Sequence, residues 1–259
     1  MAESQPRLGA VAIAKTTYHL IWRRALPALV LMAVPFVVSL AAFYGGQKIG
    51  LLWHWPLSLI EYLANVVFIT ALLRHVLLNA PASVRALQIG RAELHMLAVG
   101  VIAALFLLCL RYIHLNVLVV VLTPFMAVFV MLFGSKLGWF VFMSGYLFIF
   151  LYFILRFGAT LPLIVQCGTK FTAAMTQAWA MTCGRSGSLF WAFVLVMVPV
   201  GVINFFGVRF VGGHLPLQPD LILAFVGVVQ AYIVMTALTL LSAVVFQELS
   251  RTVEPVRTS

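Results

Sequence analysis

Charge is what this chain has least of. Charged residues make up 8% of the 259, and only six are acidic: Glu3, Glu61, Glu93, Asp220, Glu248 and Glu254. No two of them stand as a DxD or ExD pair. Metal-assisted phosphodiester hydrolysis needs several carboxylates around a divalent cation, so the sequence argues against it. Cysteine is scarce as well, with Cys109, Cys167 and Cys183 only. None forms a CxxC pair and no Cys/His set has zinc spacing, which speaks against a disulfide framework and a zinc site. All three read as free, lipid-facing or packed thiols. A polar coat is missing too. With 64% hydrophobic residues and a mean hydropathy of +1.13, too few polar side chains remain to cover a soluble fold of this length.

What is present is a series of long apolar runs at 26–44, 56–78, 95–112, 139–165, 188–208 and 221–246. A bilayer core about 30 Å thick needs about 20 apolar residues per helical span. Backbone groups inside lipid must be paired within the segment, which leaves helices or closed barrels. Barrel strands alternate apolar with polar residues, and these runs do not, so they predict helices. The fold class expected is an all-α integral membrane protein with a six-span bundle. The first run follows Arg23-Arg24, as a signal sequence would, but it is longer than a signal core and reads as an uncleaved span.

A seventh apolar segment, 116–134, decides the topology. With six spans and an inside N-terminus, the inner side carries Arg7, Lys15, Arg23, Arg24, Arg74, Arg85, Arg91, Arg156, Lys170, Arg185, Arg251 and Arg257. The outer side carries Lys48, Arg111, Lys136 and Arg209. If 116–134 also spans, everything after it flips and the bias nearly vanishes. The positive-inside rule therefore favours six spans with both termini in the cytoplasm. Segment 116–134 would then lie along the outer interface or dip in and return, with Pro124 breaking it. The domain plan is an N-terminal interfacial helix over 1–25, a six-span domain over 26–247 with an extra apolar segment at 114–138, and a short tail over 248–259. The net charge of +10 reads as topology signal and contact with anionic headgroups, not as a nucleic-acid footprint.

Arg24, Arg91, Arg185 and Arg251 are spaced by 67, 94 and 66 residues. The excess in the middle interval matches the awkward apolar segment, so the pattern suggests three two-span units with an insertion in the second. Each unit opens on a weakly polar stretch that suits a short amphipathic helix, at 13–24, 82–91 and 171–185. In the third, Phe171, Met175, Ala178, Trp179 and Thr182 share one helical face, with Trp179 as a bilayer anchor. Candidate headgroup contacts are Lys15, Arg23, Arg24, Arg85, Arg91, Lys170 and Arg185.

Glu61 is the most informative acid, because it falls within an apolar run. Asn65 lies one turn further on the same face, and Asn204 and Gln230 are placed to complete a polar patch inside the bundle. A site of that kind would suit a small transporter or lipid translocator; the plainer reading is a protonated or near-interface acid bonded to a neighbour. A serine hydrolase built on Ser144 and His214 is disfavoured, since Phe142-Met143-Ser144-Gly145 lacks the first glycine of a GxSG motif. Small residues there fit close helix packing. No catalytic, metal or cofactor site is expected.

The stretch from Phe157 through Pro162, Ala174, Ala178, Trp179, Thr182 and Gly184 to Arg185 resembles the membrane domain fused to some bacterial glycerophosphoryl diester phosphodiesterases. It is also similar to the stand-alone YciC-like inner-membrane proteins. The ending Val245-Phe246-Gln247-Glu248-Leu249 looks like theirs, with Phe246 where Tyr is common and Met181 where Leu is usual. The resemblance covers most of the chain in pattern, but only about 35 residues are specific to it. It implies six spans and bacterial inner-membrane residence, and no chemistry, since in fused proteins the catalytic acids and histidines sit in a separate soluble domain. The expected role is a non-enzymatic membrane module associated with the lipid bilayer and its anionic phospholipids, or a scaffold. The alternative is the transporter around Glu61.

Overall fold

The computed structural model describes residues 9–49, 51–87, 89–91, 93–94, 127–128, 131, 134, 151–152, 155–214 and 219–253. The chain divides into two compact units, residues 1–97 with 156–259, and residues 98–155. Few residues of the second are described, and the helices named below belong to the first. Among the described residues there is no strand.

Helix α1 (Ala10–Arg23) and helix α2 (Ala25–Ile49) meet at an elbow on Arg24. Helix α3 (Leu51–Leu77) returns antiparallel to α2, and a single 3-10 turn follows at Val84–Ala86. Then come α4 (Thr160–Cys167), α5 (Phe171–Thr182), α6 (Ser186–His214) and α7 (Pro219–Val253). Among the described residues, four helices contain stretches long and apolar enough to cross a bilayer: Ala25–Gly46, Pro56–Leu77, Ser186–Ile203 and Asp220–Arg251. The first two are 22 residues each, about 33 Å at the helical rise, which matches a hydrocarbon core. α2 is apolar on every side, as a helix in lipid should be. α1 is not. It buries Ile13, Ala14 and Thr17 and leaves Lys15, Thr16 and His19 outside. Pro35, Pro56 and Pro199 sit inside helices, a common tolerance where neighbouring helices re-satisfy the backbone.

Among the described residues, two apolar clusters pack the helices together. Leu31, Phe68, Ala71, Leu72, Tyr232 and Leu240 pack where α2, α3 and α7 meet. The Phe36 and Phe68 rings stand 5.7 and 5.1 Å from the Tyr232 ring, Phe36 edge-on and Phe68 tilted. A second cluster sets Ala159, Leu163, Ala174 and Ala178 against Val66 and Phe246. Ala174 and Ala178 of α5 are completely buried, which lets its backbone approach closely on that face.

Four of the six expected spans thus stand as helices in their expected places. The run 95–112 and the segment 114–138, with Pro124, lie outside the described residues except for isolated positions. So do Ser144, Cys109, Arg111 and Lys136. The run 139–165 lies mostly outside the described residues; its described end is helical, with a turn at Gly158 and Ala159 before α4. One expectation changes. The stretch 82–91 forms no amphipathic helix among its described residues, only the turn at Val84–Ala86. Pro81 ahead of it and Gly90 near its end frame a segment that folds back on α3 through side-chain bonds instead. The stretches at 13–24 and 171–185 are helical as expected. The second of them closes on Gly184, whose φ of +73° suits a residue without Cβ.

Candidate functional site

Connectivity gathers the basic residues. α2 begins, α3 ends, α6 begins and α7 ends at one end of the bundle. Arg23, Arg24, Arg74, Arg85, Arg91, Lys170, Arg185 and Arg251 lie in these termini or in the connections there. Lys48 and Arg209 belong to the opposite helix ends. Lys48 is exposed and paired with Asp220 at 2.6 Å, and that carboxylate holds its ammonium above the usual lysine range.

One ion-paired feature of the basic end is built on Glu93. Its side chain is completely buried. Arg74 Nη2 donates to Glu93 Oε2 at 2.9 Å, while Nη1 sits against Oε1 as a charge contact without an aligned hydrogen bond. Gly90 N–H donates to the same Oε2 at 2.8 Å, and Leu94 N–H returns to Gly90 O at 3.1 Å. This is the carboxylate half of a capping box, with glycine as N-cap. Burial disfavours the charged carboxylate. Hydrogen bonds from Arg74, Thr70, Gly90 and its own backbone outweigh that and hold Glu93 below the ordinary carboxylate range. A Cβ on Gly90 would stand 3.2 Å from Glu93 Oε2 and 3.5 Å from Arg74 Nη2, so the knot closes tightly only around glycine.

Beside the knot, His75 ties two segments. A guanidinium only donates, so Arg24 Nη1 donates to His75 Nε2 at 3.0 Å and His75 Nδ1–H donates to Ala80 O at 2.6 Å. The outcome is an open cleft of about 400 Å³, lined by Arg74, Ala80, Ser83, Arg85, Ile89 and Gly90 among others. A second groove of about 260 Å³ runs between α2 and α7 and is lined mainly by apolar residues such as Ala25, Leu29, Met32 and Ile233.

The remaining expected headgroup contacts separate. Lys15, Arg23, Arg91 and Lys170 are exposed, while Arg185 is partly covered. Trp179 is half-buried. The Arg156 guanidinium lies 4.2 Å above its ring, and Phe157 packs beside it at 5.5 Å. Arg156 Nη1 also donates to Thr182 Oγ1 at 3.3 Å. Trp22, 87% exposed at the end of α1, takes the outward aromatic position.

Of the expected polar patch, Asn65 joins a chain of hydrogen bonds with two residues that the sequence did not single out. Ser39 Oγ donates to Asn65 Oδ1 at 3.3 Å and lies 3.0 Å from Tyr232 Oη, which donates in turn. Ser39 and Tyr232 are buried. Asn65 stands nine residues into the apolar stretch that starts at Pro56, about 14 Å along the axis and near its middle. Glu61 lies one turn earlier, half-buried and five residues into the same apolar stretch. Gln230, on α7, makes no hydrogen bond to this chain of hydroxyls among the described residues, and the side chains of Asn204 and His214 lie outside them. Among the described residues no group of three His, Cys, Asp or Glu could hold a metal.

Glu93, Ser39 and Tyr232 escape a reading by apolar runs. The Gly90-x-x-Glu93 spacing was the legible signal for the first. A serine and a tyrosine inside apolar helices carry no sign of their distant partners. Comparison with family models, with curated proteins and with solved structures yields no match to this chain.

Proposed function

We propose that this is a non-catalytic, multi-pass module of a bacterial inner membrane whose basic end faces the cytoplasm and associates with anionic phospholipids. The observation that carries the reading is the crowding of cationic side chains at one end of an apolar bundle, around an open cleft. Each basic group near an anionic surface adds about 1 kcal/mol of attraction, and the positive-inside rule puts such an end in the cytoplasm. The likeness of the 157–185 stretch to phosphodiesterase-associated and YciC-like membrane domains supports the same residence and a six-span plan built from two-span units. The test is retention of lipid. Protein reconstituted with equal phosphatidylglycerol and phosphatidylcholine should carry an excess of phosphatidylglycerol into native mass spectrometry. Equal retention of both would refute the association.

A second reading, a small transporter or lipid translocator, draws on the Ser39–Asn65–Tyr232 chain beside Glu61 near the middle of the bundle. It requires proton-linked flux in vesicles that is lost in Glu61→Gln.

A further inference from the structure

We infer that the cleft between the last turn of α3 and the 80–90 connection binds a phosphodiester monoanion, the group carried by an anionic phospholipid headgroup. The inference rests on the lipid-associated reading above and gives it a defined site. The cleft's volume of about 400 Å³ falls in the range of small-ligand sites, about 300–1,000 Å³, and has room for a phosphate with its attached glycerol.

Charge selects the ligand. Arg74 is neutralised by Glu93, while Arg85 is exposed and, among the described residues, makes no ion pair. Among the residues that line the cleft, one positive charge is therefore left over. A phosphodiester carries one negative charge and matches it; a phosphomonoester near pH 7 carries more and does not. Donors are in place as well. Arg74 donates one hydrogen bond to Glu93 and rests a second nitrogen against it as a charge contact, and that grip fixes its planar fork, so its remaining N–H groups are offered without further ordering. Arg85 and the Ser83 hydroxyl add donors on the opposite wall. Position selects the source. Arg74 lies three residues before the end of the apolar stretch at Leu77, which places the cleft at headgroup level. Ile89, 60% exposed on the rim, would meet the glycerol ester region of a lipid.

The test uses the full chain in a neutral detergent. It is titrated with dihexanoyl phosphatidylglycerol, with dihexanoyl phosphatidylcholine and with dimethyl phosphate, which is a bare phosphodiester. Arg85→Gln is the main variant, because an exposed side chain can be changed without loss of the fold, as circular dichroism would check. Phosphatidylglycerol affinity should fall at least tenfold in Arg85→Gln, about 1.4 kcal/mol, and Arg85→Lys should restore part of it. Dimethyl phosphate should lose affinity by a similar factor. Much tighter binding of the lipid than of dimethyl phosphate assigns the site to a headgroup, and equal binding assigns it to a soluble phosphodiester; both support the site. Affinity within twofold of wild type in Arg85→Gln overturns it. If the wild-type protein also retains anionic and zwitterionic lipids alike, the broader lipid reading falls too. If only the variant result fails, that reading stands without this cleft.

Discussion

Replacing Glu93 with Gln should destabilise the protein at neutral pH and flatten its acid sensitivity. Breaking a buried ion pair by removing one partner costs about 3–5 kcal/mol. Arg74 keeps 24% of its side chain in solvent, which screens the charge left behind. Glutamine also retains a carbonyl that can accept from Gly90 N–H, so about 2 kcal/mol is the expected loss. For a chain of this length that is a fall of about 4–8 °C in the unfolding midpoint. The pH dependence has a definite sign. Glu93 titrates below its ordinary 4.5 in the folded protein, so its stabilisation is fully present above that value. It drains away as pH falls through the lowered folded value. Wild-type and variant midpoints, followed by circular dichroism in detergent from pH 7 to 3, should therefore differ most at neutral pH and converge at the acid end. A variant within about 0.5 kcal/mol of wild type at pH 7 would refute the reasoning, because that is the scatter of an ordinary surface change.

Ser39→Ala should cost more than Tyr232→Phe in equilibrium unfolding. Removing Ser39 strands the Tyr232 hydroxyl and the Asn65 carbonyl together, while the phenylalanine removes its own polar group; each loss should be about 1–2 kcal/mol, and the reverse order would contradict the chain of bonds. Thr182→Val should destabilise by about 1–2 kcal/mol, because a fully buried hydroxyl that serves both Arg156 and the Ala178 carbonyl is lost, and a neutral result in the same assay would count against that contact. Gly90→Ala should lower the midpoint measurably, since its Cβ comes within 3.2 Å of the Glu93 carboxylate that Arg74 holds in place, whereas Gly187→Ala, which meets no atom within 4 Å, should not.

Long apolar runs made α2, α3, α6 and α7 legible, because lipid leaves a spanning chain few alternatives to a continuous apolar helix. The face of α5 was partly legible. Ala178 and Thr182 are buried as periodicity predicts, but Ala174 is buried as well and Trp179 is covered by Arg156, a residue on another segment. Residues 82–91 show the opposite failure. Weak polarity and an arginine resemble an amphipathic helix, yet Pro81, Gly90 and the reach of Glu93 back to Gly90 make a folded connection. Glu61 and Asn65 were legible as polar groups inside a span. Their neighbourhood was not, because Tyr232 and Ser39 come from helices whose register against α3 is set by packing.

Orientation is the most direct test of the account. Cys183 is exposed beside the start of α6 at the basic end, and Lys48 is exposed at the other end of the bundle. With Cys109 and Cys167 replaced by serine, one variant keeps Cys183 alone and another carries Lys48→Cys with Cys183→Ser. Intact spheroplasts are then treated with a membrane-impermeant maleimide. The account predicts that the Lys48→Cys variant is labelled from outside, while Cys183 reacts only after the membrane is opened. Labelling of Cys183 in sealed spheroplasts, with protection of the Lys48→Cys variant, would contradict it.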